Sequence, residues 1–218
     1  MPEADLHTAQ SPPNLYADEN GRNHPAVWRG ILPVAKANPG PLGLAGFALT
    51  TWMLSMINAG WYSAANMGMV LALALAYGGL AQLVAGVLEY PRGNTFGTVA
   101  FFSYGAFWLS FAFFVQFFSK GVEGTFVAWY LLMWGIFTFY MWLATFKGDR
   151  IIMLVFLALW LTFVLLAIGN FGVSGFVQIG GYVGLITAIL AFYASAAGVI
   201  NEAAGRVVLP TGAPSKAA

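Results

Sequence analysis

The sequence predicts an all-α integral membrane protein with six transmembrane helices per protomer and both termini cytoplasmic. Three observations predict it. Of the 218 residues, 60% are hydrophobic and only 8% charged, against roughly 25% charged in an ordinary soluble domain. The apolar residues gather in six runs, each near the ~20 residues that span the hydrocarbon of a bilayer. Positive charge collects on one side of those runs. Arg22, Arg29, Lys36, Arg92, Lys147, Arg150, Arg206 and Lys216 fall on that side and Lys120 alone on the other, and Lys/Arg-rich ends stay in the cytoplasm.

Residues 1–37 form a polar N-terminal tail containing Pro2, Pro12, Pro13, Pro25 and Pro33. It cannot bury enough apolar surface to order by itself, and a flexible tail is expected. Trp28, Ile31 and Leu32 offer an alternative there, a short helix lying on the membrane surface. Met1 to Gln10 carries Glu3 and Asp5 and lacks the apolar core of a signal peptide.

A six-helix transmembrane domain is expected over residues 38–200. Its spans are expected at about 41–60, 67–88, 96–118, 125–146, 151–170 and 179–200, and none contains Asp, Glu, Lys, Arg or His. Backbone groups in lipid must bond internally, so these runs are helices; the alternation of a membrane barrel is absent. Pro41 sits at a first helical turn, where its missing N–H costs nothing. Pro91, Gly93 and Asn94 make the turn into the third span, with Asn94 or Thr95 as its cap. Gly148 and Asp149 separate the fourth and fifth spans, and Gly172, Gly175, Gly180 and Gly181 loosen the approach to the sixth. Residues 201–218 are a short cytoplasmic tail punctuated by Pro210, Gly212 and Pro214.

Several chemistries are excluded. A net charge of +1 gives no field to recruit nucleic acid. There is no Cys, and His7 and His24 both lie in the tail. The spans therefore hold no ligands for zinc, haem or an Fe–S cluster and no Ser-His-Asp set. No span contains a Lys for a Schiff base, and no phosphate-binding G-x-x-x-x-G-K-[ST] occurs. The expectation is a protein without catalytic residues, metal or cofactor, whose partners are the bilayer and a small solute.

Ionisable residues are the usual pointer to a membrane site; without them, polar residues at helical spacing carry the reading. Phe47, Thr51, Ser55 and Asn58 share one face of the first span. Gly79, Gln82, Gly86 and Glu89 share one face of the second span and its edge, and Gly184, Thr187, Ala191, Ser195 and Gly198 one face of the sixth. Such faces suit a path for a small hydrogen-bonding solute, with Gln82 the most informative residue because a buried amide in lipid must find partners. Small residues at the same spacing also let helices approach closely. Both readings stay open for each face. The many rings of the third span, Phe101, Phe102, Phe107, Trp108, Phe111, Phe113 and Phe114, suit packing, lipid contact or the interfacial belt.

Asn38-Pro39-Gly40-Pro41-Leu42-Gly43-Leu44-Ala45-Gly46-Phe47 resembles the N-P-[AV]-P-[LF]-G-L-x-[GSA]-F signature of the acetate uptake transporters, the succinate–acetate permease family, departing from it at Gly40. Further matches follow in order: Tyr77 to Gln82, Leu88-Glu89-Tyr90, Gly93 to Gly97, Ser103 to Trp108, Ala167 to Asn170, and Asn201-Glu202 with Gly205-Arg206 and Val208-Leu209-Pro210. The resemblance covers about residues 37–212. It implies a homo-hexamer in the plasma or inner membrane, each protomer with its own pathway for acetate and often succinate, coupled to protons. It also implies a Phe/Tyr/Leu constriction, which maps to Phe47, Tyr104 and Leu159, and a small residue tuning substrate size, which maps to Ala191.

The physics of a carboxylate fits a pathway without fixed cations. A bare carboxylate in dry hydrocarbon costs up to tens of kcal/mol, whereas protonating a weak acid at pH 7 costs only about 4 kcal/mol. Such a pathway handles the protonated acid, or a partly hydrated anion held by neutral donors. Helix N-termini add unpaired amides with partial positive charge, so Asn38, Asn94 and Thr95 are expected to attract a carboxylate where the first and third spans begin. The alternative is a channel-like pore for small anions or neutral solutes, an acetate channel or a urea- or ammonia-type channel, which the same polar faces would serve.

Overall fold

The structure, a computed structural model, describes residues 37–213. The readings made for the N-terminal tail, including Trp28, Ile31 and Leu32, lie outside the described residues. Six helices are long and apolar enough to cross a membrane: α1 Gly40–Asn58, α2 Ala64–Arg92, α3 Thr95–Phe118, α4 Gly124–Ala144, α5 Arg150–Asn170 and α6 Phe176–Ala204. No strand occurs among the described residues. All six match the expected spans, with bounds that move by a few residues. The largest changes lengthen α2 and α6 beyond their apolar stretches, so that α2 takes in Glu89 and Arg92.

Local chemistry explains the ends. At the start of α1, Asn38 Oδ1 accepts the Gly40 amide at 3.0 Å and Pro39 O accepts the Gly43 amide at 3.2 Å, while Pro41 sits in the first turn. Gly93 takes φ +70°, which a side chain would strain, and turns α2 into α3. Asn94 is the residue that caps α3, its Oδ1 accepting the Gly97 amide at 3.0 Å. Inside α2, Ala76–Ala81 forms a π-helical turn, which widens the ladder just before Gln82.

The helices close into a ring. α6 packs on α1 and α5, α4 on α5, and α2 on both α1 and α3. Small residues make the closest approaches. A Cβ on Gly86 would fall 2.7 Å from the Phe102 amide nitrogen, and one on Gly198 would fall 2.6 Å from Pro41 Cγ. Gly184 faces Ser55 Oγ, and Ser195 Oγ donates to Pro41 O at 2.7 Å. The last side of the ring is different. α3 and α4 have few close backbone approaches and are bridged by side chains: Tyr104 OH and Thr138 Oγ1 lie 2.9 Å apart, as do Ser110 Oγ and Tyr130 OH. The outer face of α4 presents Phe126, Trp129, Met133 and Ile136, as lipid contact requires.

After α6 the chain folds back over the end of the bundle. Asn201 Oδ1 accepts the amides of Val208 and Leu209 at 2.7 and 2.8 Å. Tyr193 OH donates to Pro210 O at 2.8 Å, and the Ile151 amide donates to Thr211 O at 3.1 Å.

Candidate functional site

A cavity of about 590 Å³ enters the ring from the end that carries the start of α1, the α2–α3 and α4–α5 turns, and the returning C-terminal segment. Its mouth is polar: Asn38, Glu89, Asn94, Asp149, Asn201 and Thr211 line it. Its inner wall turns apolar, with Phe47, Tyr104, Phe156 and Leu159 on it. Between these zones stands Gln82, only 1% exposed. Its Oε1 is buried with no hydrogen-bond partner, which is costly unless a visiting group supplies one.

The apolar end is a packed ring of side chains. The Phe47 and Tyr104 rings lie 5.9 Å apart, and Tyr104 lies 6.0 Å from Phe156 and 5.4 Å from Phe137. Thr138 Oγ1 donates to Trp134 O at 2.7 Å, so its single hydrogen is spent and Tyr104 is the donor in the bond between the two hydroxyls. Leu159 and Ala191 belong to the same buried apolar cluster as Phe47 and Tyr104.

The expected site residues therefore separate into groups. Phe47, Tyr104, Leu159, Gln82, Asn38 and Asn94 all line one cavity. Ala191 is fully buried and is not part of the lining. Thr95 is exposed at the rim and is not part of the lining. Thr51, Ser55 and Asn58 follow Phe47 along α1 away from the mouth, outside the cavity, and so does Thr187 of α6. Thr187 Oγ1 lies 3.3 Å from Thr162 Oγ1, and both hydroxyls bond the carbonyl one turn back. Thr51 Oγ1 is buried and unpartnered.

The apolar stretch 67–88 contains no ionisable group, but α2 runs on past it and carries Glu89, which is 2% exposed and lines the cavity. Asn94 Nδ2 donates to its Oε2 at 2.9 Å, and Arg92 Nε stands 3.6 Å from the same oxygen. The apolar run ends at residue 88, so a composition window stops one residue short. The face Gly79, Gln82, Gly86 and Glu89 already carried the correct placement, because all four residues are buried.

Residues 24–213 match the profile described as the GPR1/FUN34/yaaH family. The chain belongs to that family. Within it, the chain is 44% identical over 181 residues to the succinate-acetate/proton symporter SatP of Escherichia coli K12, covering 81% of this chain and 95% of that protein. It is 36% identical over 210 residues to acetate permease A of Emericella nidulans, covering 87% and 70% of the two chains. It is 43% identical over 181 residues to ammonia transport outward protein 2 of Saccharomyces cerevisiae, covering 78% and 64%. Among solved structures, one described as the bacterial acetate channel SatP matches with a TM-score of 0.78 and 43% identity, over 82% of this chain and 100% of that one. The family's members thus carry the names of a symporter, a permease and a channel, and the six-helix fold matches a solved member.

Proposed function

We propose that this protein moves acetate, and with it succinate and other short carboxylates, across the plasma or inner membrane, with the acid accompanied by a proton. The observation that carries the reading is the cavity inside a single chain, polar at its mouth and closed by Phe47, Tyr104 and Leu159, in a protein 44% identical to a succinate-acetate/proton symporter. The three apolar side chains form a dry neck that a small neutral acid crosses and a hydrated ion does not. Gln82 offers an amide to the acid on its way to the neck. Ala191, in the same buried cluster as Leu159, sets how far the neck can yield. Beyond the neck, Thr51, Ser55, Asn58 and Thr187 continue the route with hydroxyl and amide groups.

Asn94 and Thr95 start α3 at the mouth, and Asn38 stands at the start of α1. Their helix ends favour a carboxylate there. The excess of Lys and Arg at the mouth end of the bundle supports a cytoplasmic position for that end and for both termini. Each protomer of a homo-hexamer would hold its own such pathway, as in the family the motifs resemble. The protein acts in this reading as a transporter and not as an enzyme.

The deciding experiment is uptake of labelled acetate into proteoliposomes, with and without an inward proton gradient, challenged by unlabelled succinate and propionate. Saturable uptake above protein-free vesicles, stimulated by the gradient and displaced by the competing acids, is the expected result. Flux of methylammonium or urea in place of acetate would overturn it in favour of a neutral-solute pore.

A further inference from the structure

Among the described residues, Glu89 alone is a carboxylate buried within a membrane helix and set on the cavity wall. We propose that Glu89 is the group that takes the coupled proton from the transported acid and passes it to water at the mouth. The inference rests on the proton-coupled reading above and names the residue that would carry it.

The argument begins at the neck. Phe47, Tyr104 and Leu159 bring no charge to it, so in the proton-coupled reading the species that crosses is the neutral acid. Once in the cavity the acid must lose its proton to leave as the anion, and a base on the wall speeds that step. Glu89 is a carboxyl group like its substrate, and it offers that substrate's proton a buried oxygen on the cavity wall. Its Oε2 is held by Asn94 Nδ2 at 2.9 Å and by Arg92 Nε at 3.6 Å. Its Oε1 lies on the side of Gly40, where an added Cβ would come to 3.6 Å. The glycine at the start of α1 thus leaves space beside the oxygen that would receive the proton.

The other groups around it are accounted for. Arg92 lies on its own helix and also donates Nη1 to Ala37 O at 2.7 Å. Across the cavity, at the start of α5, Asp149 is half-buried at the mouth. α1 brings Pro41, Leu44 and Phe47 to the lining with Asn38 just before it, α3 brings Phe96, Gly97 and Ala100 with Asn94 as its cap, and α6 brings Asn201, none of which titrates near neutrality. In the transfer the O–H bond of the acid breaks, its electron pair stays on the substrate oxygen, and an O–H bond forms at Oε1. That bond then breaks in turn as water at the mouth takes the proton.

Purified full-length protein in proteoliposomes tests the assignment with Glu89→Gln, which keeps the size and an acceptor for Asn94 but cannot take the proton. Two rates are read: acetate exchange at equal concentrations on both sides, and net uptake driven by an inward proton gradient. The variant is expected to lose net uptake by about 10-fold or more and to lose exchange by a clearly smaller factor. Glu89→Asp, which restores a carboxyl group, should recover gradient-driven uptake with a shifted pH profile. Equal loss of both rates in Glu89→Gln, as expected if Glu89 only pins the Asn94 cap, overturns the proposal, and so does no loss of either. If Glu89→Gln fails to reconstitute, a Glu89→Asp pH profile superimposing on the wild type overturns it. A wild type that exchanges acetate but shows no gradient-driven uptake above protein-free vesicles instead refutes proton coupling itself, and the role of Glu89 with it.

Discussion

Tyr104 and Thr138 join α3 to α4 through one hydrogen bond, and the two ways of deleting it should differ. Both side chains are buried. Thr138 donates to Trp134 O at 2.7 Å, so the 2.9 Å bond between the hydroxyls uses the Tyr104 hydrogen. Tyr104→Phe removes that donor and leaves the Thr138 hydrogen satisfied. The expected cost is about 0.6 kcal/mol, the average for an interhelical bond in a membrane protein. Thr138→Val removes the acceptor and strands a buried O–H, which costs about 1–3 kcal/mol. The double variant removes both polar groups and should return close to Tyr104→Phe, a coupling of about 1 kcal/mol or more.

Thermal unfolding of detergent-purified protein ranks the four forms, and uptake of labelled acetate accompanies it. Thr138→Val should be least stable, with the double variant recovering most of the loss. Tyr104→Phe should keep uptake within about 2-fold, because the ring contacts with Phe47 at 5.9 Å and Phe137 at 5.4 Å do not involve the hydroxyl. If Tyr104→Phe proves the more damaging of the two, or if the double variant shows the sum of the single losses, the donor assignment and the neck built on it are wrong.

Three further outcomes are expected. Leu159→Ala should admit butyrate relative to acetate, read as the uptake ratio of the two acids, at a stability cost of up to about 2–5 kcal/mol; Leu159→Ile, which conserves volume, should leave the ratio unchanged. Gly181→Ala places a Cβ against the Ala59 amide, and because backbone cannot yield as a side chain can, its unfolding transition should fall by about 1–3 kcal/mol. Gly40→Val narrows the mouth, where a Cβ already stands 3.1 Å from Asn38 Oδ1, and should slow acetate uptake while the unfolding temperature stays near wild type.

The membrane fold was legible because lipid leaves so few options. A run of apolar residues long enough to span must be helical, and its ends are set by where charge resumes. What composition could not show is where a helix continues past its apolar part, and Glu89 and Arg92 of α2 lie in that continuation. The π-helical turn at Ala76–Ala81 holds the Gly78-Gly79 pair but no Pro, and apolar run length does not reveal it. Spacing also could not separate packing from lining. On α2 the polar face reaches the cavity through Gln82 and Glu89. On α6 the equivalent stripe packs against α1 through Gly184, Ser195 and Gly198, and of these only Gly198 also touches the cavity. Small residues serve both purposes, so the sequence pattern is the same in each case.

The length of α2 explains how a membrane helix can hold a buried carboxylate at all. Its 29 residues, rising about 1.5 Å each, make it about 44 Å long, against ~30 Å of hydrocarbon. Glu89 lies within one turn of its end, past the apolar stretch, where Arg92 and Asn94 meet its charge. Two turns deeper on the same face the polar residue is the uncharged Gln82, and across from it the wall closes on Phe47, Tyr104 and Leu159. Polarity therefore falls stepwise along the cavity, from charge to amide to ring and methyl. In the proposed pathway, an acid entering from the mouth would lose water at the same stages at which its charge becomes more costly, so protonation would be most strongly favoured at the neck. Moving the carboxylate inward, as in Gln82→Glu with Glu89→Gln, would set a charge against the neck without a guanidinium beside it. That exchange should abolish acetate uptake while a Gln82→Asn variant, neutral and shorter, retains part of it; uptake surviving the exchange would show that the order of groups along the cavity does not matter.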